Sequence, residues 1–151
     1  MSDVTKAILL MLQFLQVIFL WAHDWLPLGS LNDVRAVRGQ DSFRRLVIVT
    51  IVQSLPYTII LILSALYFGQ HYPHWLITTL WIAYTILFAG ELRAWWVPYL
   101  FRAEPERAAR YRAMFGNTHS FLPVRNGLVP NTAHIFLHIC TALTLLVLFV
   151  A

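Results

Sequence analysis

From Leu46 to Gly90 the chain carries no Asp, Glu, Lys or Arg, and the same holds from Asn126 to Ala151. A soluble fold needs charge on its outer face, whereas a bilayer core penalises it, so two such runs point to a membrane-embedded chain. Of the 151 residues 59% are hydrophobic and 12% charged, about half the charged share of roughly 25% in an ordinary soluble domain.

A span takes roughly 20 apolar residues. The first candidate covers residues 7–25 and runs into His23-Asp24, followed by the turn formers Pro27 and Gly29. Lys6 is the one basic residue ahead of it and no small-x-small cleavage site follows, so it is expected to be retained rather than removed as a signal peptide. The long charge-free run is divided by Gly69-Gln70-His71-Tyr72-Pro73-His74 into spans over 43–68 and 74–101. Pro56 is expected to kink the second span and free a backbone carbonyl. The fourth covers 129–150, with Pro130 in its first turn. The expected fold is therefore all-α, a four-helix transmembrane bundle forming a single domain over residues 1–151. Between the third and fourth spans, Glu104 to Phe115 places Ala108, Tyr111 and Phe115 on one face, with acidic residues first and arginines later. That pattern predicts a short interfacial amphipathic helix.

The positive-inside rule sets an orientation. Arg35, Arg38, Arg44 and Arg45 follow the first span, and Arg102, Arg107, Arg110, Arg112 and Arg125 follow the third. The turn between the second and third spans has no Lys or Arg, and neither has the C-terminus. Both termini are thus expected on the non-cytoplasmic side and the arginine-rich loops in the cytoplasm. The net charge of +4 belongs to these membrane-flanking loops, so a nucleic-acid partner is not expected. Cys140 is the single cysteine, so no intrachain disulfide forms and the redox compartment is not readable.

Polar residues within spanning helices usually face the bundle interior. Gln13, Gln16 and His23 form one stripe in the first span, and Gln53, Tyr57 and Ser64 another in the second. Trp81, Tyr84, Phe88, Glu91 and Trp95 share a face of the third, and Asn131, His134, His138 and Thr141 a face of the fourth. At about 1.5 Å per residue, Gln53, Glu91, His134 and His23 come to comparable heights near the arginine-rich end. A buried carboxyl beside a histidine can exchange a proton with a bound molecule. The same groups can also serve as interhelical hydrogen bonds without further function. Trp95, Trp96, Tyr99, Tyr72 and Trp75 suit aromatic belts, with Trp95 set apart because it shares the face of Glu91. The loop segments 23–33 and 116–123 are placed either to close over the cluster as a lid or to serve simply as turns.

No Walker loop, G-x-G-x-x-G, H-E-x-x-H or C-x-x-C occurs. His134 and His138 have the i, i+4 spacing of a helical metal pair, with His23 or Glu91 as third ligand, and a haem between His23 and one of them is geometrically conceivable. Such pairs arise often by chance, so no metal site is assigned and the cofactor stays open. The size, four spans, buried carboxylate and the segment Gln53-x-x-Pro56 resemble the sterol-isomerase and sigma-2-receptor-like membrane proteins. That resemblance covers architecture and part of the second span, and it carries no site residues over.

The expected function is binding or chemical conversion of a lipid-like hydrophobic molecule, a membrane lipid or small molecule, near the cytoplasmic leaflet. Glu91 and His134 would exchange protons with its polar end, His23, Gln53, Asn131 and His138 would contact that end, and Tyr57, Tyr84 and Trp95 would pack the apolar part. Two other classes stand beside it: a homo-oligomeric transporter or channel coupled to protons or cations through Glu91, and an accessory subunit of a membrane complex. The orientation is tested by single-cysteine labelling in a Cys140→Ser background: cysteines at Ser2 and Gln70 should react with an impermeant maleimide from outside. Those at Arg38 and Arg107 should react only after permeabilisation, and the reverse pattern would overturn the assignment.

Overall fold

The computed structural model describes residues 1–150. Ser2 starts the first helix, α1 (Asp3–Ala22), by accepting a 3.1 Å hydrogen bond from the Thr5 amide. This cap brings the helix start ahead of the apolar run at Ala7, so α1 begins and ends a few residues before the 7–25 span. Asp33 caps a short helix, α2 (Val34–Gln40), and Ser42 caps the long α3 (Phe43–Leu66). α4 (His74–Glu91) continues through a π-helical turn, Leu92–Trp96, into α5 (Val97–Leu100). α6 (Pro105–Phe115) and α7 (Thr132–Val150) complete the chain. Pro130 lies just ahead of α7 rather than in its first turn, because Asn131 takes the capping position: its Oδ1 accepts from the His134 amide at 3.0 Å.

Four stretches, Asp3–Ala22, Phe43–Leu66, His74–Leu100 and Thr132–Val150, are long and apolar enough to cross a bilayer. They form a ring in which α1 touches α3 and α7, and α4 touches α7; the seam between α3 and α4 is the sparsest. The bundle is apolar outside and polar inside. Val52, Ile59, Ile82, Ile86, Phe14 and Phe136 are exposed, whereas Gln13, Gln16, Ser54, Ser64, Thr141 and Thr144 are buried. An outer surface of that kind suits lipid and not water.

At the end where the chain termini lie, Lys6 is buried and its Nζ donates to Asp3 and to the carbonyls of Phe68 and Gln70 at 2.9–3.0 Å, tying α1 to the α3–α4 turn. At the opposite, arginine-bearing end, α2 and α6 pack together around Val37, Leu46 and Met114. Asp41 at the end of α2 pairs with Arg110 of α6 and with Arg45 in the first turn of α3. The apolar face of α6 is therefore spent on the protein itself: Tyr111 and Phe115 lie against Trp95, with ring centroids 4.6 and 5.0 Å away. Asn126 and Gly127 turn the chain back toward α7 with positive φ of 52° and 77°, the conformation that Asn-Gly accepts most readily.

Two lost backbone bonds explain how α6 is anchored. Pro98 has no N–H to give the Ala94 carbonyl, and the π-turn sends the Val97 N–H to Leu92 O instead of Arg93 O. Both are supplied from α6: Tyr111 donates its hydroxyl to Ala94 O at 3.1 Å and Arg107 donates to Arg93 O at 3.4 Å. Burial pushes the Tyr111 phenol above its ordinary pKa, partly offset by Arg107 and Arg110, so it remains a donor at neutral pH. Tyr111→Phe should cost about 1–2 kcal/mol and speed hydrogen exchange in α6 selectively; unchanged exchange would refute this anchor.

Candidate functional site

A cavity of about 730 Å3 opens near the arginine-bearing end and is lined by α1, α3, α4 with its π-turn, and α7. The sequence-derived residues His23, Gln53, Tyr57, Glu91, Trp95, His134 and His138 all line it. Tyr84 and Asn131 do not. Tyr84 is fully buried against Tyr57, ring centroids 5.6 Å apart. Asn131 spends its amide on the protein, as described below. Val52, Ile82 and Ile86 are both cavity-lining and exposed, so the cavity opens sideways through the sparse seam between α3 and α4.

Asn131 sets the chemistry of His134. Its Nδ2 donates to Leu31 O at 3.1 Å, and its Oδ1 accepts from the His134 amide and from His134 Nδ1 at 2.6 Å. The two backbone partners fix which end of the amide is oxygen, so Nδ1 of His134 must be the protonated nitrogen and Nε2 carries the lone pair. His138 is fixed in the opposite sense. Trp96 Nε1, which can only donate, reaches His138 Nδ1 at 3.0 Å. A neutral His138 therefore holds its proton on Nε2. His23 donates from Nδ1 to Phe19 O at 2.9 Å, and its Nε2 lies 3.4 Å from Asp24. Two neighbouring imidazoles thus offer one acceptor and one donor.

The rings are packed together. His134 meets His23 edge-on at 5.5 Å, Trp95 at 4.4 Å and Phe115 at 5.2 Å, while Phe19 stacks on His23 at 4.6 Å. These contacts fill the space that a macrocycle between His23 and His134 would need. No three His, Cys, Asp or Glu side chains converge as a metal site among the described residues. The two loop segments expected to form a lid meet each other: His119 donates its amide to Ser30 O at 2.7 Å, and Thr132 donates to His119 O at 2.9 Å. Together with α6 they close this end of the bundle over His134.

Glu91 has a different neighbour from the one expected. No hydrogen bond or ion pair joins it to a histidine; its Oε1 bonds Thr141 Oγ1 at 2.8 Å. Thr141 also lies 2.9 Å from Gln16 Oε1 and 3.1 Å from Leu137 O. One hydroxyl proton cannot serve three acceptors. Gln16 is oriented by its Nε2, which donates to Leu12 O and Thr144 Oγ1, both at 2.9 Å. Both side-chain acceptors are satisfied together when Glu91 donates a proton to Thr141 and Thr141 donates to Gln16. The second oxygen, Glu91 Oε2, is buried without a partner, as is Gln53 Nε2. Pro56, also on the wall, leaves the Val52 carbonyl without its helical donor. Both side-chain atoms are shielded, so a ligand or water meets them once neighbouring side chains shift.

Reading the sequence missed Gln16, Thr141 and Trp96 as parts of this site. Gln16 and Thr141 were on the polar stripes, and their joint placement was the available signal. For Trp96 there was none, since the π-turn decides which of the adjacent tryptophans meets His138. Thr141→Val should strand both Glu91 and Gln16 and lower stability by about 2–3 kcal/mol, read as a fall in melting temperature in detergent. Thr141→Ser should stay near wild type; equal losses from both would discount the hydroxyl. Comparison of the chain with protein-family models, curated proteins and solved structures found no match, so the resemblance to sterol-isomerase and sigma-2-receptor-like proteins gains no support from it.

Proposed function

We propose that the protein binds a lipid-like amphipathic molecule that enters the cavity sideways between α3 and α4. The observation that carries this reading is the shape and lining of the cavity: an apolar wall open toward the lipid-facing surface, with Glu91 Oε2 and Gln53 Nε2 buried and unpaired. A volume of about 730 Å3 lies within the usual range of small-molecule sites, roughly 300–1,000 Å3. The apolar part of the ligand lies along Val52, Pro56, Ile82 and Ile86. Its hydrogen-bonding part meets Glu91, Gln53 and the donor–acceptor pair His138 and His134. Because Glu91 bonds neither histidine, a proton passed between them needs a bridging ligand or water.

Gly90 gives a clean test. It lies at the edge of the cavity, and a Cβ there meets nothing within 4 Å, so a larger side chain fits at that edge without disturbing the fold. Replacing a helical glycine also removes a cost of about 1 kcal/mol. Native mass spectrometry in mild detergent should find the wild type carrying a defined added mass. Gly90→Leu should lose it while melting no lower than wild type, and Glu91→Gln should hold it more weakly. A bare symmetric oligomer without added mass would overturn the proposal in favour of transport.

A further inference from the structure

A second hollow, of about 570 Å3, lies on the other side of the same helix end, between α4 and α6. Arg93, Arg107 and Arg110 line it together with Glu104 and Glu106. Gly90 at the end of α4 and Ala94 in the π-turn belong to the walls of both hollows, so the two adjoin along a stretch of helix with minimal side chains. Larger residues at these two positions would divide them.

The charges in this hollow do not cancel one another. Arg110 is taken by Asp41. Arg107 uses one nitrogen on the Arg93 carbonyl. Arg93, Glu104 and Glu106 form no ion pair among the described residues. Guanidinium groups suit phosphate oxygens, which accept two parallel hydrogen bonds, and carboxylates suit an ammonium group. A ligand carrying both charges answers the whole hollow, whereas a purely anionic one would face two carboxylates.

Building on the lipid-binding reading, we propose that the ligand is a zwitterionic phospholipid whose head group occupies this second hollow. Its phosphate meets Arg93 and Arg107, and its amine meets Glu104 and Glu106. The linkage to the tail crosses at Gly90 and Ala94, passing Glu91, and one acyl chain lies in the larger cavity. The site is at the membrane-facing edge of the arginine-bearing end, where head groups are found.

The test is binding to delipidated protein of phosphatidylethanolamine, phosphatidylglycerol, diacylglycerol and soluble glycerophosphoethanolamine, measured by native mass spectrometry. Phosphatidylethanolamine should bind about tenfold more tightly than diacylglycerol, as expected for lost charge-assisted contacts. Arg93→Gln with Arg107→Gln should erase that advantage. Glu104→Gln with Glu106→Gln should move the preference to phosphatidylglycerol. Equal binding of diacylglycerol, or an undiminished advantage in the double arginine variant, would overturn the head-group assignment while leaving the cavity reading intact. Tight binding of soluble glycerophosphoethanolamine that Gly90→Leu does not alter would mark a free phosphate site and overturn the lipid. Binding of none of the lipids would instead remove the cavity reading itself.

Discussion

A polar group inside a bundle that faces hydrocarbon has no water to bond, so its partner must come from within the protein. Much of the arrangement follows from where those partners are found. Pro98 withholds one N–H and the π-turn diverts that of Val97 to Leu92 O, and the two carbonyls left over are met by Tyr111 and Arg107 of α6 at the end of the bundle. Once α6 is there, Phe115 and Trp95 enclose His134. Asn131 then holds both the first turn of α7 and the ring of His134 with a single oxygen. Local satisfaction of the backbone and the positioning of the site are one process.

The side chains divide into those that are paired and those that are not. Gln16, Thr141 and Thr144 link α1 to α7 in the interior, and Gln13 reaches Ser64 on α3 at 3.2 Å. These bonds cross the seams of the helix ring that are closely packed. Gln53 and Glu91, which line the cavity, each keep one polar atom free, as do Gln13, Ser54 and Tyr84. The closely packed seams thus join α1 to α3 and to α7, and the sparsest lies between α3 and α4.

The four spans were legible in the sequence because charge exclusion over a membrane thickness is a local property of the chain. The face of each span was legible too, since a polar stripe at helical spacing needs no knowledge of the neighbours. Gln53, Glu91, His134 and His23 do reach one cavity from four helices. What the stripes did not carry was distance across the bundle: Glu91 lies against Thr141 and not against a histidine. The helix α2 was not foreseen because Val37 is its only buried side chain, too little for a periodic signal. The π-turn was hidden for another reason, because it rests on donors that α6 brings from more than ten residues away. Tyr84 and Asn131 share the right faces, yet one is consumed by packing and the other by capping.

Lys6 has a consequence that reaches beyond the turn it ties down. Its charge is met by Asp3 at 2.9 Å, so the two side chains cancel at the end of the bundle where they lie. All the arginines sit at the other end, and with them the whole formal net charge of +4. The molecule is therefore electrically lopsided along its long axis. In a membrane that sustains a voltage, moving one elementary charge across is worth about 2.3 kcal/mol per 100 mV. Turning such a bundle over would carry several charges through that field, so a membrane voltage would favour one orientation over the other independently of any lipid contact.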